Sequence, residues 1–205
     1  MNLRNYQTEI STKANTVLNN SGFVYLACEV RIGKTLIALE TCKLFKAKKV
    51  LFITKIKAFT SIEKDYCNFK YSVDFDLTII NKESIRKIET NNFDIVVCDE
   101  AHGLFGTYPK PNNFTKIYIK RFFEIPVILL SGTMSPESYS QLFHQFWICK
   151  HAPFKYYKNF YKWANDFVEV KIKHLGYAQV KDYSSANINK IRPLIEPYIL
   201  TFTQE

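Results

Sequence analysis

Short apolar runs recur along the first two thirds of the chain, at residues 23–27, 50–54, 77–80, 93–98 and 127–130, and most lack the polar alternation of a strand with one wet face. That pattern predicts strands buried on both faces, as in a parallel sheet. Between the runs the rhythm becomes helical, at residues 34–47, 58–67 and 82–90, the first stretch turning lysine-rich toward its end. Strand and helix therefore alternate. The expected fold class is α/β: a central, mostly parallel sheet flanked by helices, with right-handed crossovers and ligand-binding groups at the carboxyl ends of the strands.

After Pro136 the texture changes. Strand signals become sparse, and an aromatic, lysine-rich, helical stretch runs from Tyr139 through Phe143, Trp147, Tyr157, Phe160, Tyr161 and Trp163 to Phe167. Residues 187–198 read as a helix whose regularity Pro193 and Pro197 limit, and Leu200-Thr201-Phe202 begins something extended. Two units are expected: a lobe over residues 1–135 and a helical extension packed on it over 136–205. No internal repeat or low-complexity tract interrupts them.

Composition narrows the class. With 205 residues, 47% of them hydrophobic, and only 6 Gly and 7 Pro, the chain can bury a substantial core and is not a fibrous repeat. Its 28 Lys and Arg against 19 Asp and Glu give a formal charge of +9, which suits a polyanion such as nucleic acid and equally suits a merely soluble, lysine-rich surface. Cys28, Cys42, Cys67, Cys98 and Cys149 show no CxxC or Cys–His spacing, so they read as reduced thiols rather than zinc ligands, with packing the account of Cys28 and Cys98. The first residues lack an apolar signal core and no apolar stretch can span a bilayer, so a cytoplasmic location without membrane partners is expected, in a host cell if the chain is phage-encoded.

Two segments carry chemistry. Glu29-Val30-Arg31-Ile32-Gly33-Lys34-Thr35 follows the first apolar run and opens the first helix. Such a turn aims backbone N–H groups and the positive helix end at phosphates; Lys34 would neutralise them and the Thr35 hydroxyl would hold Mg²⁺. Asp99-Glu100-Ala101-His102 follows the fourth run. There Asp99 would face the metal and Glu100 would orient an attacking water. Gly-Lys-Thr also occurs by chance, this loop has one glycine and no small residue at Cys28, and Asp-Glu-Ala-His could be an ordinary strand end. Their joint occurrence, each after a strand, favours nucleoside triphosphate cleavage, with Lys34, Asp99 and Glu100 as catalytic groups.

With these motifs in order, the chain resembles the superfamily 2 helicases and translocases of DEAD/DEAH-box type, in the branch of Swi/Snf-like and phage-type DNA helicases. Leu3-Arg4-Asn5-Tyr6-Gln7 is similar to the opening motif whose glutamine reads adenine, residues 29–35 to motif I, residues 99–102 to motif II, and Leu130-Ser131-Gly132-Thr133 to motif III. Residues 153–160 and 183–200 resemble the region joining the first RecA-like lobe to the second. The resemblance implies a RecA-like P-loop NTPase lobe whose ATP contacts are Arg4, Gln7, Val30, Arg31, Ile32, Gly33, Lys34 and Thr35, with Mg²⁺ at Thr35 and Asp99. Gln7 alternatively caps the helix that follows, and Arg31 faces either phosphate or solvent.

The same resemblance implies that His102, Ser131 and Thr133 couple the motifs, although a lone surface histidine is the commoner case. Lys55 and Lys57, and Asn81, Lys82 and Ser84, would touch a nucleic-acid backbone, where solvated loop residues are the plain alternative. The aromatic and basic residues 150–162 could stack bases or pack on the lobe; aromatics mostly fill cores. A second RecA-like lobe, in cis or in trans, would supply arginine fingers, and the chain is expected to hydrolyse ATP slowly without it. A motor-inactive nucleic-acid-binding regulatory module is the alternative function. A P-loop kinase suits the Asp99-Glu100 pair less well, because Glu100 offers water activation rather than an acceptor pocket.

Overall fold

The computed structural model describes residues 3–29, 31–69, 74–175 and 178–203. Its central sheet has six strands, all pairing in parallel: β1 (Phe23–Cys28), β2 (Lys49–Ile53), β3 (Asp76–Ile80), β4 (Ile95–Asp99), β5 (Val127–Ser131) and a last strand, Ile199–Phe202. Numbered in chain order the last is β8, because an antiparallel hairpin, β6 (Lys171–Leu175) and β7 (Ala178–Asp182), precedes it. The sheet order is β3-β2-β4-β5-β1-β8.

The unbroken apolar runs have a direct cause. Along each central strand alternate side chains enter two different cores. Phe23, Tyr25, Leu51, Ile53, Val96, Cys98, Val127 and Leu129 face one. Val24, Leu26, Val50, Phe52, Ile95, Val97, Ile128 and Leu130 face the other. With both faces covered, polar residues are confined to the strand ends, at Lys49, Asp99 and Ser131. The second core is covered by α1 (Asn5–Ser21), α2 (Lys34–Leu44) and α3 (Phe59–Phe69), through side chains such as Ile10, Leu18, Ile37 and Ile62. The first is covered by α4 (Ala101–Phe105), α5 (Asn113–Phe122), α6 (Leu142–Gln145), α7 (Phe160–Phe167) and α8 (Ile188–Ile195), through Phe105, Tyr118, Phe143, Trp163 and Ile191.

Two local expectations change and a third is borne out. The helix expected at 82–90 is a 3-10 turn over Lys82–Lys87, started by Asn81, whose side chain accepts from the Ser84 amide. The stretch after Pro136 is helical in α6, α7 and α8 and in 3-10 turns at Tyr139–Gln141 and Glu196–Tyr198, and also holds the β6–β7 hairpin and β8. The extended segment at Leu200-Thr201-Phe202 becomes the sheet edge beside β1, pairing Tyr25 with Ile199 and Cys28 with Phe202. Among the aromatic residues of 150–162, Phe154 and Phe160 are buried in the core, and Tyr157 is partly buried against it. Tyr156 is 86% exposed and carries the Lys155 ammonium 5.0 Å from its ring centre. All five cysteines are free thiols. Among the described residues no helix is long and apolar enough to cross a membrane.

Candidate functional site

The carboxyl ends of β1, β5 and β4 lie side by side in that order, with Ala27 in register with Ser131 and Leu130 with Asp99. At about 4.8 Å per strand spacing, the loop leaving β1 and the carboxylate ending β4 are roughly 10 Å apart, with the β5 tip between them. Lys34 and Asp99 share this region, since the lysine charge acts on the Asp99 carboxylate.

The loop between β1 and α2 turns through two left-handed residues, Arg31 at φ 68° and Gly33 at φ 78°. Glycine is favoured at the second. A Cβ there would stand 2.5 Å from the Gln7 amide nitrogen, in addition to the strain of positive φ. The α2 helix starts directly after Gly33, with Ile37 N–H donating to the Gly33 carbonyl and no side chain capping the first turn. Its first amides therefore remain available at the loop. The Lys34 ammonium donates to the Cys28 carbonyl at 3.0 Å and the Glu29 carbonyl at 2.9 Å. Ile32 is buried, Arg31 is exposed, and Thr35 is half-buried at the helix start. Val30 lies outside the described residues.

The N-terminal motif braces this loop from outside. Gln7, buried, accepts from the Arg4 amide at 3.0 Å and donates to the Ile32 carbonyl at 3.0 Å. Its amide thus caps α1 and holds the loop at once. Tyr6 donates to the same Ile32 carbonyl at 3.1 Å, and the Arg4 guanidinium reaches the Tyr6 hydroxyl at 3.4 Å.

At the end of β4, Asp99 accepts from the Thr54 hydroxyl at 2.8 Å and from the Glu100 amide at 3.0 Å. Burial raises the Asp99 carboxyl above its usual value and the Glu100 charge adds to that, against the Thr54 and Glu100 hydrogen bonds and Lys34. Glu100 itself sits at φ 53°, a left-handed geometry that a residue with a Cβ adopts only when its surroundings enforce it. Its side chain stays 40% exposed and lies 3.6 Å from His102 Nδ1. That nitrogen is 2.7 Å from the Ser131 hydroxyl, which in turn donates to the Thr133 carbonyl at 2.6 Å and accepts from the Thr133 amide at 3.2 Å. With the Ser131 proton given to Thr133, Nδ1–H of His102 is the donor. His102, Ser131 and Thr133 thus form one hydrogen-bonded unit.

The basic candidates divide. A cavity of about 480 Å³ is lined by Lys55, Asn81, Lys82, Asp99 and Glu100 among others, so three of them border the acidic strand end. Lys57 is exposed in the adjoining turn and does not line it, and Ser84 faces a separate groove with Asp76 and Thr78.

Residues outside the sequence motifs also contribute to the candidate site. Thr54 is the buried partner of Asp99, and Tyr25 donates at 2.7 Å to Gln145, whose amide holds the carbonyls of Met134 and Gln141, both at 2.8 Å. Side-chain pairing 45 and 120 residues apart leaves no local pattern.

Sheet order and the positions of the loop and the acidic strand end define an α/β lobe with a RecA-like fold. By sequence the chain matches no family model and no curated protein. By structure it is similar to the Sulfolobus solfataricus SWI2/SNF2 ATPase core in complex with dsDNA, with a TM-score of 0.74 and 15% identity over 99% of this chain and 45% of that one. The same archaeal core domain on its own gives a TM-score of 0.69 at 17% identity, over 99% of this chain and 44% of that one. A nuclease-deletion mutant of the Type ISP restriction-modification enzyme LlaGI, in complex with a DNA substrate mimic, gives 0.51 at 14% identity, over 65% of this chain and 18% of that one. The chain spans less than half the length of each of these chains.

Proposed function

We propose that this chain is the ATP-binding lobe of an ATP-dependent translocase or helicase acting on nucleic acid, with DNA the favoured polymer. The observation that carries this reading is the placement of Lys34, at the start of the helix that follows β1, and Asp99, at the end of β4, on the same edge of the sheet with only the β5 tip between their strands. In the proposed reaction the Lys34 ammonium exchanges the Cys28 and Glu29 carbonyls for phosphate oxygens, and the first amides of α2 receive the rest of the triphosphate. Arg4 and Gln7 face the adenine and Arg31 lies beside the phosphates. For Gln7, an amide with one remaining proton and one remaining lone pair is available beyond its two bonds in the structure.

Thr35 and Asp99 supply hard oxygen donors for Mg²⁺. Among the described residues no cluster of three or more His, Cys, Asp or Glu side chains forms a cage, which suits an ion that takes its other ligands from water and phosphate. Bound there, Mg²⁺ would neutralise charge on the transferring phosphoryl group. Glu100, held in its left-handed turn with an exposed carboxylate, orients the water. His102 reads the position of Glu100 and passes it to Ser131 and Thr133.

Lys55, Lys57, Asn81, Lys82 and Ser84 are the proposed nucleic-acid contacts, of which Lys55, Asn81 and Lys82 share a groove with the acidic residues. Residues 1–135 would form the nucleotide-binding unit and 136–205 the extension toward a second RecA-like lobe that contributes arginine fingers. The S. solfataricus core in complex with dsDNA and the LlaGI enzyme with a DNA substrate mimic support DNA as the polymer. The test is the ATPase rate of this chain, and of any longer form carrying a second lobe, against a panel of duplex and single-stranded DNA and RNA. Slow turnover by the chain alone, with DNA-stimulated turnover by the two-lobed form, supports the proposal. Vigorous DNA-stimulated turnover by the chain alone refutes the division of labour.

A further inference from the structure

Tyr6 and Phe202 lie face to face, with ring centres 4.7 Å apart and planes 9° from parallel. Tyr6 comes from the first turn of α1 and Phe202 from the edge strand β8. Each also holds one end of the loop between β1 and α2. The Phe202 carbonyl accepts from the Glu29 amide at 3.2 Å, at the point where β8 pairs with Cys28. The Tyr6 hydroxyl donates to the Ile32 carbonyl at 3.1 Å, beside the Gln7 amide. Ring pair and backbone bonds therefore close a circuit: Glu29, Phe202, Tyr6, Ile32 and back along the loop.

We propose that Phe202 is a positioning residue for this loop: through its stack on Tyr6 it fixes the Glu29 amide and the Ile32 carbonyl in register, and so sets nucleotide affinity. The affinity part rests on the ATP-binding reading above; the loop-fixing part does not. A loop with left-handed geometry at both Arg31 and Gly33 has few conformations of its own to fall back on and keeps its shape through outside restraint. The α1 side chains brace the loop at Ile32, Lys34 holds the Cys28 and Glu29 carbonyls from within the loop, and β8 contributes the Phe202 carbonyl and the ring. The pair also connects the loop to the strand with which the described chain ends, so a change in loop geometry is transmitted to β8 by direct contact.

The stack is separable from simple space filling. Phe202→Leu keeps apolar bulk and removes the ring, Phe202→Met does the same should Leu fail to fold, and Phe202→Tyr keeps the ring. Hydrogen exchange of peptides spanning residues 28–37, measured without nucleotide, should be several-fold faster in Phe202→Leu than in wild type and near wild type in Phe202→Tyr. Titration with Mg-ATP should show affinity weakened about 3- to 10-fold in Phe202→Leu, with Phe202→Tyr close to wild type. A Tyr6→Leu, Phe202→Leu double variant should lose little beyond either single one, because each alone breaks the pair. Unchanged loop exchange in a folded Phe202→Leu or Phe202→Met protein, equal losses in Leu and Tyr variants, or additive losses in the double variant would each overturn the proposal. Should wild type bind no ATP, the nucleotide reading fails, and the exchange data alone decide whether Phe202 fixes the loop.

Discussion

His102 Nδ1 lies 2.7 Å from the Ser131 hydroxyl, joining the start of α4 to the tip of β5, the strand that separates the acidic strand end from the loop after β1. Ser131 is buried and serves three partners, the imidazole and both backbone polar groups of Thr133. Ser131→Ala leaves the imidazole donor and the Thr133 amide and carbonyl without that partner. It is expected to destabilise the fold by about 1–3 kcal/mol while leaving ATP affinity within about twofold of wild type, checked by denaturant unfolding and by Mg-ATP titration.

Asp99→Asn separates stability from activity. Because burial raises the Asp99 carboxyl in the folded protein, the folded state holds that proton more tightly than the unfolded chain does. Ionisation therefore costs stability, a cost absent at low pH that grows as pH rises from the unfolded value toward the raised folded one and persists above it. Asparagine removes the charge and can still bond both Thr54 and the Glu100 amide. The variant should melt no lower than wild type at pH 7–8 yet lose ATP hydrolysis, as read by thermal unfolding and phosphate release; a clear loss of melting temperature would contradict the assignment.

His144 provides the opposite sign. Its Nδ1–H donates to the Thr107 carbonyl at 2.6 Å, and burial lowers its pKa from 6.5 to about 4, against that hydrogen bond. A depressed histidine contributes stability that is complete above the unfolded value near 6.5 and is lost as pH falls toward about 4. Melting temperature should therefore drop between pH 7 and pH 4.5. His144→Gln should flatten that slope, and an equally steep decline in the variant would assign the acid sensitivity to other groups.

Gly33→Ala combines a positive φ with a Cβ 2.5 Å from the Gln7 amide nitrogen. Backbone strain alone costs about 1 kcal/mol. The Gln7 side chain must also leave the Ile32 carbonyl. ATP affinity is expected to fall at least tenfold with a modest decrease in melting temperature, and unchanged affinity would remove the loop from the binding site.

The legible part of this fold was the part written in continuous apolar runs. Residues 23–27, 50–54 and 127–130 announce β1, β2 and β5 because both faces of each are covered, confining polar residues to the strand ends. The hairpin β6–β7 was hidden for the opposite reason. Ile172 and Val180 are 58% and 47% exposed, so no buried face imposes a pattern on Lys171–Leu175. Within the candidate site, local sequence marked Gly33 and Lys34 at the helix start after β1 and Asp99 at the end of β4. Thr54, Tyr25, Gln145 and Phe202 act through partners that only the sheet order brings near, and Asn81 turned out to start a 3-10 turn, which its position before Lys82 and Glu83 permits but does not demand.

Nucleic-acid binding, if phosphate contacts at Lys55 and Lys82 carry it, should weaken steeply with salt. The double variant Lys55→Ala, Lys82→Ala should lower the slope of log affinity against log salt by about 0.9 for each duplex phosphate contact removed. A slope equal to wild type would place the contacts elsewhere on the basic surface.

The most direct measurement is calorimetric titration of wild type and Lys34→Ala with ATP in the presence of Mg²⁺, each protein first shown to be folded. The expected result is saturable binding of one ATP by wild type and at least tenfold weaker binding by Lys34→Ala. Equal affinity in the two proteins, or no binding by folded wild type, would contradict the account.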